Sequence, residues 1–241
     1  MISVITVVRN GARFLGQALD SIFQQSHRPI QVIVVDGQST DGSDRIAKAY
    51  AGIDYVRQQT LGLGAARNQG IDRAQGEFIA FLDHDDYWPA AKLATQLRYM
   101  LAHPALAYTT TQFRWFQDAS APPARVKSAA QLLASPQRGP TPGALLARRE
   151  AFHANGLFDT TLTVACDSAW FVRARDRGLA AHPLPAVLLY KRLHDANLSA
   201  QTEVYRNEWL RVLRGSAANK YHATCEVRCG VGEPKSMIQP Y

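Results

Sequence analysis

Cysteine is scarce: the 241 residues hold only Cys166, Cys225 and Cys229. No disulfide framework fits so few, and Cys225 and Cys229, with three residues between them and no second pair nearby, do not make a zinc-site pattern. The expectation is a reduced chain in the cytoplasm. Long apolar runs are missing as well. No stretch reaches the roughly 20 apolar residues that cross a bilayer, and Met1 leads straight into a strand pattern with no charged leader or small-residue cleavage site. No Gly-x-Gly-x-x-Gly follows a strand pattern, which argues against a dinucleotide enzyme. Repeats and low-complexity tracts are also lacking. Acidic charge is outweighed, leaving a formal net charge of +7. That balance favours phosphates, anionic lipid surfaces or nucleic acid as partners without choosing among them.

What is present is ample core material: 46% of the residues are hydrophobic, enough for one substantial core. In the first half, strand and helix patterns alternate. Ile2–Val8, Ile30–Val35, Ile53–Arg57 and Phe78–Leu82 read as strands. Arg13–Gln25, a helix capped by Asp41, Ala65–Ala74 and Ala90–Ala102 read as helices. Ile30–Val35 is apolar on both faces, as a central parallel strand must be. The alternation predicts an α/β fold with a doubly wound, mostly parallel sheet. The second half is less regular. Leu106–Thr111, Gly143–Ala147 and Val187–Tyr190 suggest strands, Asp167–Arg177 and Glu203–Tyr221 suggest helices, and the proline-rich stretch from Phe113 to Pro142 suggests neither. The expected organisation is one domain over residues 1–200, with 1–110 facing one ligand and 111–200 building a variable wall, followed by a C-terminal helix and tail over 201–241.

The most informative block is Phe81-Leu82-Asp83-His84-Asp85-Asp86-Tyr87-Trp88, at the end of the apolar run Phe78–Leu82. Carboxylates this crowded repel one another unless a cation neutralises them. Ligands of open α/β sheets bind at the carboxyl ends of strands, and Mg²⁺ or Mn²⁺ is commonly held there by one or two carboxylates plus substrate phosphates. The alternative is a helix start decorated with acids, Asp86 capping a helix after Pro89. Two other strand ends carry polar residues toward the same crevice: Arg9-Asn10 after the first strand and Asp36 after the second. Asp36 either serves a ligand or stabilises its own turn. Arg67, on the first turn of a helix, is either part of the site or an exposed surface arginine.

Four ordered blocks, Val4–Asn10, Val34–Gly42, Gly64–Gly70 and Phe81–Trp88, resemble family 2 glycosyltransferases of the GT-A fold, closely over residues 1–110 and loosely over 140–200. The resemblance implies a GT-A, Rossmann-like architecture, a nucleoside-diphosphate-sugar donor, usually a uridine one, and inversion at the anomeric carbon. It implies nucleotide contacts from Val7, Asn10, Asp36, Arg67 and Asp83: Asp36 would accept from the base's ring N–H with Arg67 beside it, and Asp83 would meet the ribose. Asp85 would hold the Mn²⁺ or Mg²⁺ that bridges the phosphates, with His194 of the late loop Leu193–Ser199 as a further ligand, or else as a solvated loop histidine. The attacking hydroxyl needs a base on the opposite face of the sugar. The matching segment Val164–Phe171 offers Asp167 for that role, or as an ordinary helix cap, and Cys166 stands where the family usually has glutamate.

Cys166 keeps a non-catalytic nucleotide-sugar-binding relative open as the alternative. A sugar nucleotidyltransferase would need a glycine-rich loop where this chain has Arg9-Asn10-Gly11-Ala12-Arg13. Residues 113–150 carry Arg114, Arg125, Lys127, Arg138, Arg148 and Arg149 against Asp118 and Glu150, a net +4. Tyr205, Trp209 and Leu213 form an apolar stripe on the last helix. Together these raise the expectation of a glycan or lipid-linked acceptor and peripheral contact with the inner face of a membrane, with no nucleic acid as partner.

Overall fold

The computed structural model describes residues 1–117, 129–194 and 202–229. The first half alternates as its sequence pattern requires: β1 (Ile2–Val8), α1 (Ala12–Phe23), β2 (Ile30–Asp36), α2 (Ser43–Lys48), β3 (Ile53–Arg57), α3 (Leu63–Arg73), β4 (Phe78–Phe81) and α4 (Lys92–Ala102). The second half adds β5 (Tyr108–Phe116), α5 (Ala129–Ala134), a 3₁₀ turn (Pro142–Ala144), β6 (Leu146–Arg148), α6 (Arg149–Asn155), α7 (Cys166–Asp176), β7 (Ala181–Arg192) and α8 (Thr202–Cys229). All strands join one seven-stranded sheet in the order β3-β2-β1-β4-β6-β5-β7. β3, β2, β1 and β4 are mutually parallel, β6 runs against β4 and β5, and β7 runs parallel to β5.

The sheet buries both faces, so its central strands are apolar on both. On one face Val4, Val34 and Phe78 pack against Leu15, Ala18, Leu19 and Ile22 of α1 and Leu93 and Met100 of α4. On the other, Ile5, Ile33 and Phe81 pack against α3, α6 and α7 through Ala66, Phe152 and Trp170. Each fully buried Leu or Ile is worth about 1.5–3 kcal/mol relative to exposure. Helices on both faces of a sheet with one reversed strand make this a doubly wound, mostly parallel α/β fold.

Several boundaries differ from the pattern reading. β7 is an edge strand twelve residues long, not a short one, because an edge tolerates Pro183 and Pro185 where a central strand would lose ladder bonds. β5 continues through Gln112–Phe116 by pairing with β7, and α5 lies within the stretch expected to be irregular. α4 starts at Lys92, and its N-terminus has no side-chain cap. Arg148 and Arg149 leave the expected basic wall. Arg148 pairs across the sheet with Phe78 at the start of β4 and binds Glu77 and the Leu106 and Met100 carbonyls. Arg149 donates to the Ala74 carbonyl. Both therefore lie at the end of the sheet opposite the acidic loop. Arg125, Lys127 and Asp118 lie outside the described residues. On α8 the apolar stripe turns at Val212, which packs on the core, while Leu213 is exposed.

The approach of β1 to β4 depends on Gly76. A Cβ there would lie 2.6 Å from the Ser3 amide nitrogen and 2.9 Å from the Met1 and Phe78 carbonyl oxygens, all backbone atoms that cannot rotate away. Gly76→Ala should cost about 1–3 kcal/mol, the usual range for overpacking, read as a lower urea midpoint at unchanged slope.

Candidate functional site

β4 ends in the acidic loop, and β7 supplies its counter-ions from more than a hundred residues away. Asp86 is not a helix cap. Its buried carboxylate accepts from Lys191 Nζ at 3.1 Å and from the Arg192 backbone N–H at 2.9 Å. Lys191 also stands 3.9 Å from Asp83. The Arg192 guanidinium donates to the Asp85 carbonyl at 2.9 Å and stacks between the rings of Phe14 and Phe116. Tyr87 and Tyr190 exchange backbone hydrogen bonds and stack their rings, which closes the loop onto β7. Three carboxylates share one ammonium, so the ammonium gains from each while no acid gains its full effect. Burial would lower Lys191, but Asp86, Asp83 and Asp85 together hold it well above the usual lysine range. Burial, with help from Asp85 and Asp83, lifts Asp86 to about 7 against the pull of Lys191.

Asp85 is the exception. Burial pushes it up, but the hydrogen bond from His194 and the nearby charges of His84 and Lys191 overcome that and hold it at about 2. His194 is not a solvated loop residue: its ring is buried, tilted against Phe14, with Nε2 2.9 Å from Asp85 Oδ2. A carboxylate oxygen and an imidazole nitrogen side by side are a donor pair that suits Mn²⁺. Among the described residues no three His, Cys, Asp or Glu side chains gather to hold an ion alone. Residues 195–199 of the late loop lie outside the described residues.

Arg67 is not a surface arginine. Its side chain is 3% exposed, and it pairs with Asp83 at 3.3 Å and stands 4.0 Å from Asp167. A further N–H reaches Cys166 Sγ at 3.5 Å, and the guanidinium lies over Phe158. The Gly64–Gly70 block explains how α3 presents it. A Cβ on Gly64 would come within 2.8 Å of the Asp159 carbonyl oxygen, so only glycine lets α3 approach the segment before α7. Asn68 then clips that segment by accepting from Phe158 N–H and donating to Phe158 C=O, both at 2.9 Å. Asp167 lies in the first turn of α7, whose cap position is Ala165, and its side chain is 24% exposed. Cys166 is buried, and burial pushes its thiol up to about 11 despite Arg67, so it stays protonated.

At the β2 end, Asp36 is buried and stabilises its own turn. One oxygen accepts from Ser39 N–H in its own turn at 2.8 Å, and the other accepts from Tyr55 hydroxyl at 2.6 Å. Arg67 does not pair with Asp36, because its guanidinium reaches across the crevice to Asp83 and Asp167 instead. Asn10, in the left-handed region at φ 51°, accepts from Thr40 N–H at 2.9 Å and so joins the β1 and β2 loops. Val7 is half-buried in β1, on the face of the second core. Asp41 binds Ser43 N–H and the Ala12 N–H of α1.

The sequence profile described as glycosyl transferase family 2 matches residues 3–174. The chain belongs to that family. Among curated relatives, TuaG of Bacillus subtilis (strain 168), which carries a provisional name as a teichuronic acid biosynthesis glycosyltransferase, is 38% identical over 106 residues, 42% of each chain. GlyA of Streptococcus pneumoniae serotype 4, a glycosyltransferase, is 39% identical over 90 residues, 36% of this chain and 13% of that one. The aligned stretch thus spans less than half of either relative. Among solved structures, Staphylococcus aureus TarS residues 1–349 with UDP-GlcNAc aligns over 90% of this chain and 65% of its own, at a TM-score of 0.74 and 20% identity. The Pyrobaculum calidifontis mannosyltransferase PcManGT with GDP-Man and Mn²⁺ aligns over 83% and 59%, at a TM-score of 0.65 and 22% identity. At these identities the likeness establishes the fold, which is GT-A.

Within this family 2 domain, pattern reading missed Lys191, Tyr55 and Asn68. Lys191 had a signal, a lysine at a strand end just before the flagged Leu193-His194, but nothing local named its partners. Two grooves of about 440 and 480 Å³ lie elsewhere, one between α4 and β7 at Tyr99 and Leu184, the other beside Asp72 and Arg149, and neither touches the acidic loop. Lys191→Met should destabilise the fold by about 3–5 kcal/mol, the cost of leaving a buried charge unpaired, and adding Asp86→Asn should recover part of it in urea melts.

Proposed function

We propose that this domain transfers a sugar from a nucleoside-diphosphate donor, with uridine as the base, to a hydroxyl of a glycan or lipid-linked acceptor, inverting the anomeric carbon. The reading is supported most by one observation: the buried Arg67 guanidinium pairs with both Asp83 and Asp167. A donor-side and an acceptor-side carboxylate therefore share one crevice at the strand ends. The named complexes of TarS with UDP-GlcNAc and of PcManGT with GDP-Man support a nucleotide-sugar donor.

In the proposed reaction, the acceptor oxygen forms a bond to the anomeric carbon as the bond to the diphosphate oxygen breaks. The electron pair leaves with the nucleotide, and the acceptor proton passes to Asp167. Asp83 meets the ribose, and Asp36 receives the base's ring N–H on lone pairs that Ser39 and Tyr55 leave open. Asp85 and His194 would hold Mn²⁺ or Mg²⁺, which would supply Lewis-acid stabilisation to the departing diphosphate. Arg67 pairs with both Asp83 and Asp167, and Cys166, held protonated, adds no competing negative charge. On α8, Leu210 and Leu213 face outward on the same side as the exposed Arg206 and Arg214. This mixed apolar and basic face suits peripheral contact with an anionic membrane on its cytoplasmic side. No helix among the described residues is long and apolar enough to cross a membrane.

The test begins with calorimetry on UDP-GlcNAc, UDP-glucose, UDP-galactose and GDP-mannose, followed by nucleotide release from the tightest binder with water as acceptor. Asp167→Asn should lower release by about 10²–10⁴-fold, the range of a general base, at unchanged donor affinity. Binding without release in the wild type, with or without added acceptors, would leave a non-catalytic binding relative.

The metal assignment has its own expected outcome. Chelation should weaken UDP binding in the wild type, and Asp85→Ala should bind UDP equally with chelator and with Mn²⁺. Equal affinity in the wild type under both conditions would remove the ion from the site.

A further inference from the structure

α7 carries Asp167 but begins without a side-chain cap of its own. The amides ahead of it are gathered by a residue of α8. Glu208 Oε1 accepts from Thr163 N–H at 2.7 Å, and Oε2 accepts from Val164 and Ala165 N–H at 2.9 Å each. One carboxylate thus ties three consecutive amides, the last belonging to the cap residue two positions before Asp167. Two more α8 residues grip the same segment: Tyr205 hydroxyl meets Ser168 Oγ at 3.0 Å, next to Asp167 itself, and Arg211 donates to Thr161 Oγ1 at 3.2 Å. Burial would raise the Glu208 carboxyl, but these amide bonds hold it below the usual glutamate range, so it is ionised when it binds them. The family profile ends at residue 174, so none of these three residues lies within it.

We propose that Glu208 is a positioning residue for Asp167, and that α8 is part of the catalytic scaffold rather than an appended tail. The inference rests on the reading of Asp167 as the base. Three amides fixed by one carboxylate set the angle at which the chain enters α7. The carboxylate of Asp167, in the first turn, inherits that angle. That carboxylate accepts from the Ser168 N–H of the same turn at 2.7 Å, so its direction follows the backbone there, while Arg67 stands 4.0 Å away and constrains it less. Among the described residues the hydrogen bonds of Glu208 go to Thr163, Val164 and Ala165 and not to the acidic loop or Asp36, so its loss should leave donor binding in place.

The experiment uses nucleotide release from the tightest-binding donor, water as acceptor, with donor affinity measured separately by calorimetry. Glu208→Ala should lower kcat by about 10–100-fold, as displacement of a reacting group by an ångström does, with donor Kd within twofold of wild type. Glu208→Gln keeps an acceptor oxygen but presents an NH₂ to at least one amide, and should lose about 3–10-fold in kcat at the same donor Kd. Placed on Asp167→Asn, Glu208→Ala should add no further loss, since it acts through a group already removed. If Glu208→Ala does not fold by circular dichroism, Glu208→Gln decides. Wild-type kcat in a folded Glu208 variant while Asp167→Asn is inactive overturns the positioning role alone. Retained release in Asp167→Asn overturns the base reading instead.

Discussion

Asp83, Asp85 and Asp86 stand within four residues at the end of a buried strand, and three carboxylates so placed cannot all be ionised without matching positive charge. The rest of the site follows from how that charge arrives. Lys191 lies against Asp86 and Asp83, Arg192 donates its backbone N–H to Asp86, and His194 reaches Asp85. All three come from the last residues of β7 and the residue pair beyond it. The strand must therefore run the full depth of the sheet to deliver them, and it can do so only at an edge, where Pro183 and Pro185 cost no ladder bonds. The division among the acids is also settled here. Asp86, deepest and best paired, anchors the loop, while Asp83 and Asp85 keep part of their surface exposed.

A second cation performs the same service between the two halves of the domain. Arg67 leaves α3 buried under Phe158 and pairs with Asp83 on one side and Asp167 on the other. Removing a guanidinium from water is costly unless it is paired and hydrogen-bonded, so the two carboxylates and the guanidinium hold one another in place. The Cys166 thiol completes the contact without adding charge. A carboxylate in its place would draw Arg67 away from Asp83 and Asp167. Gly64 and Asn68 belong to the same arrangement, one by letting α3 approach and the other by clipping Phe158.

The crevice is thus built from acids held in place by ion-pair and hydrogen-bond partners. Asp36 is tied by Tyr55 and Ser39, Asp86 by Lys191, and Asp167 by Arg67 and the segment that Glu208 fastens.

Pattern alone determined the alternation of strands and helices through α4, the doubly wound class, and the placement of Asp36 and Asp83–Asp86 at strand ends. Those features are local: apolar run length and side-chain period report burial face within a few residues. The family resemblance also pointed to Arg67, Asp167 and His194 as candidate site residues. What pattern could not supply was their partners. Lys191 with Asp86, Arg67 with Asp167, and Glu208 with Thr163–Ala165 are pairs 105, 100 and about 44 residues apart in sequence. No periodicity encodes such pairs. They depend on which strand takes the edge and which helix packs beside α7, and that is decided by closing the whole sheet and its two cores at once. Arg148 and Arg149 make the same point in reverse: a basic run in sequence was divided by β6, whose reversed direction carries both residues to the far end of the sheet.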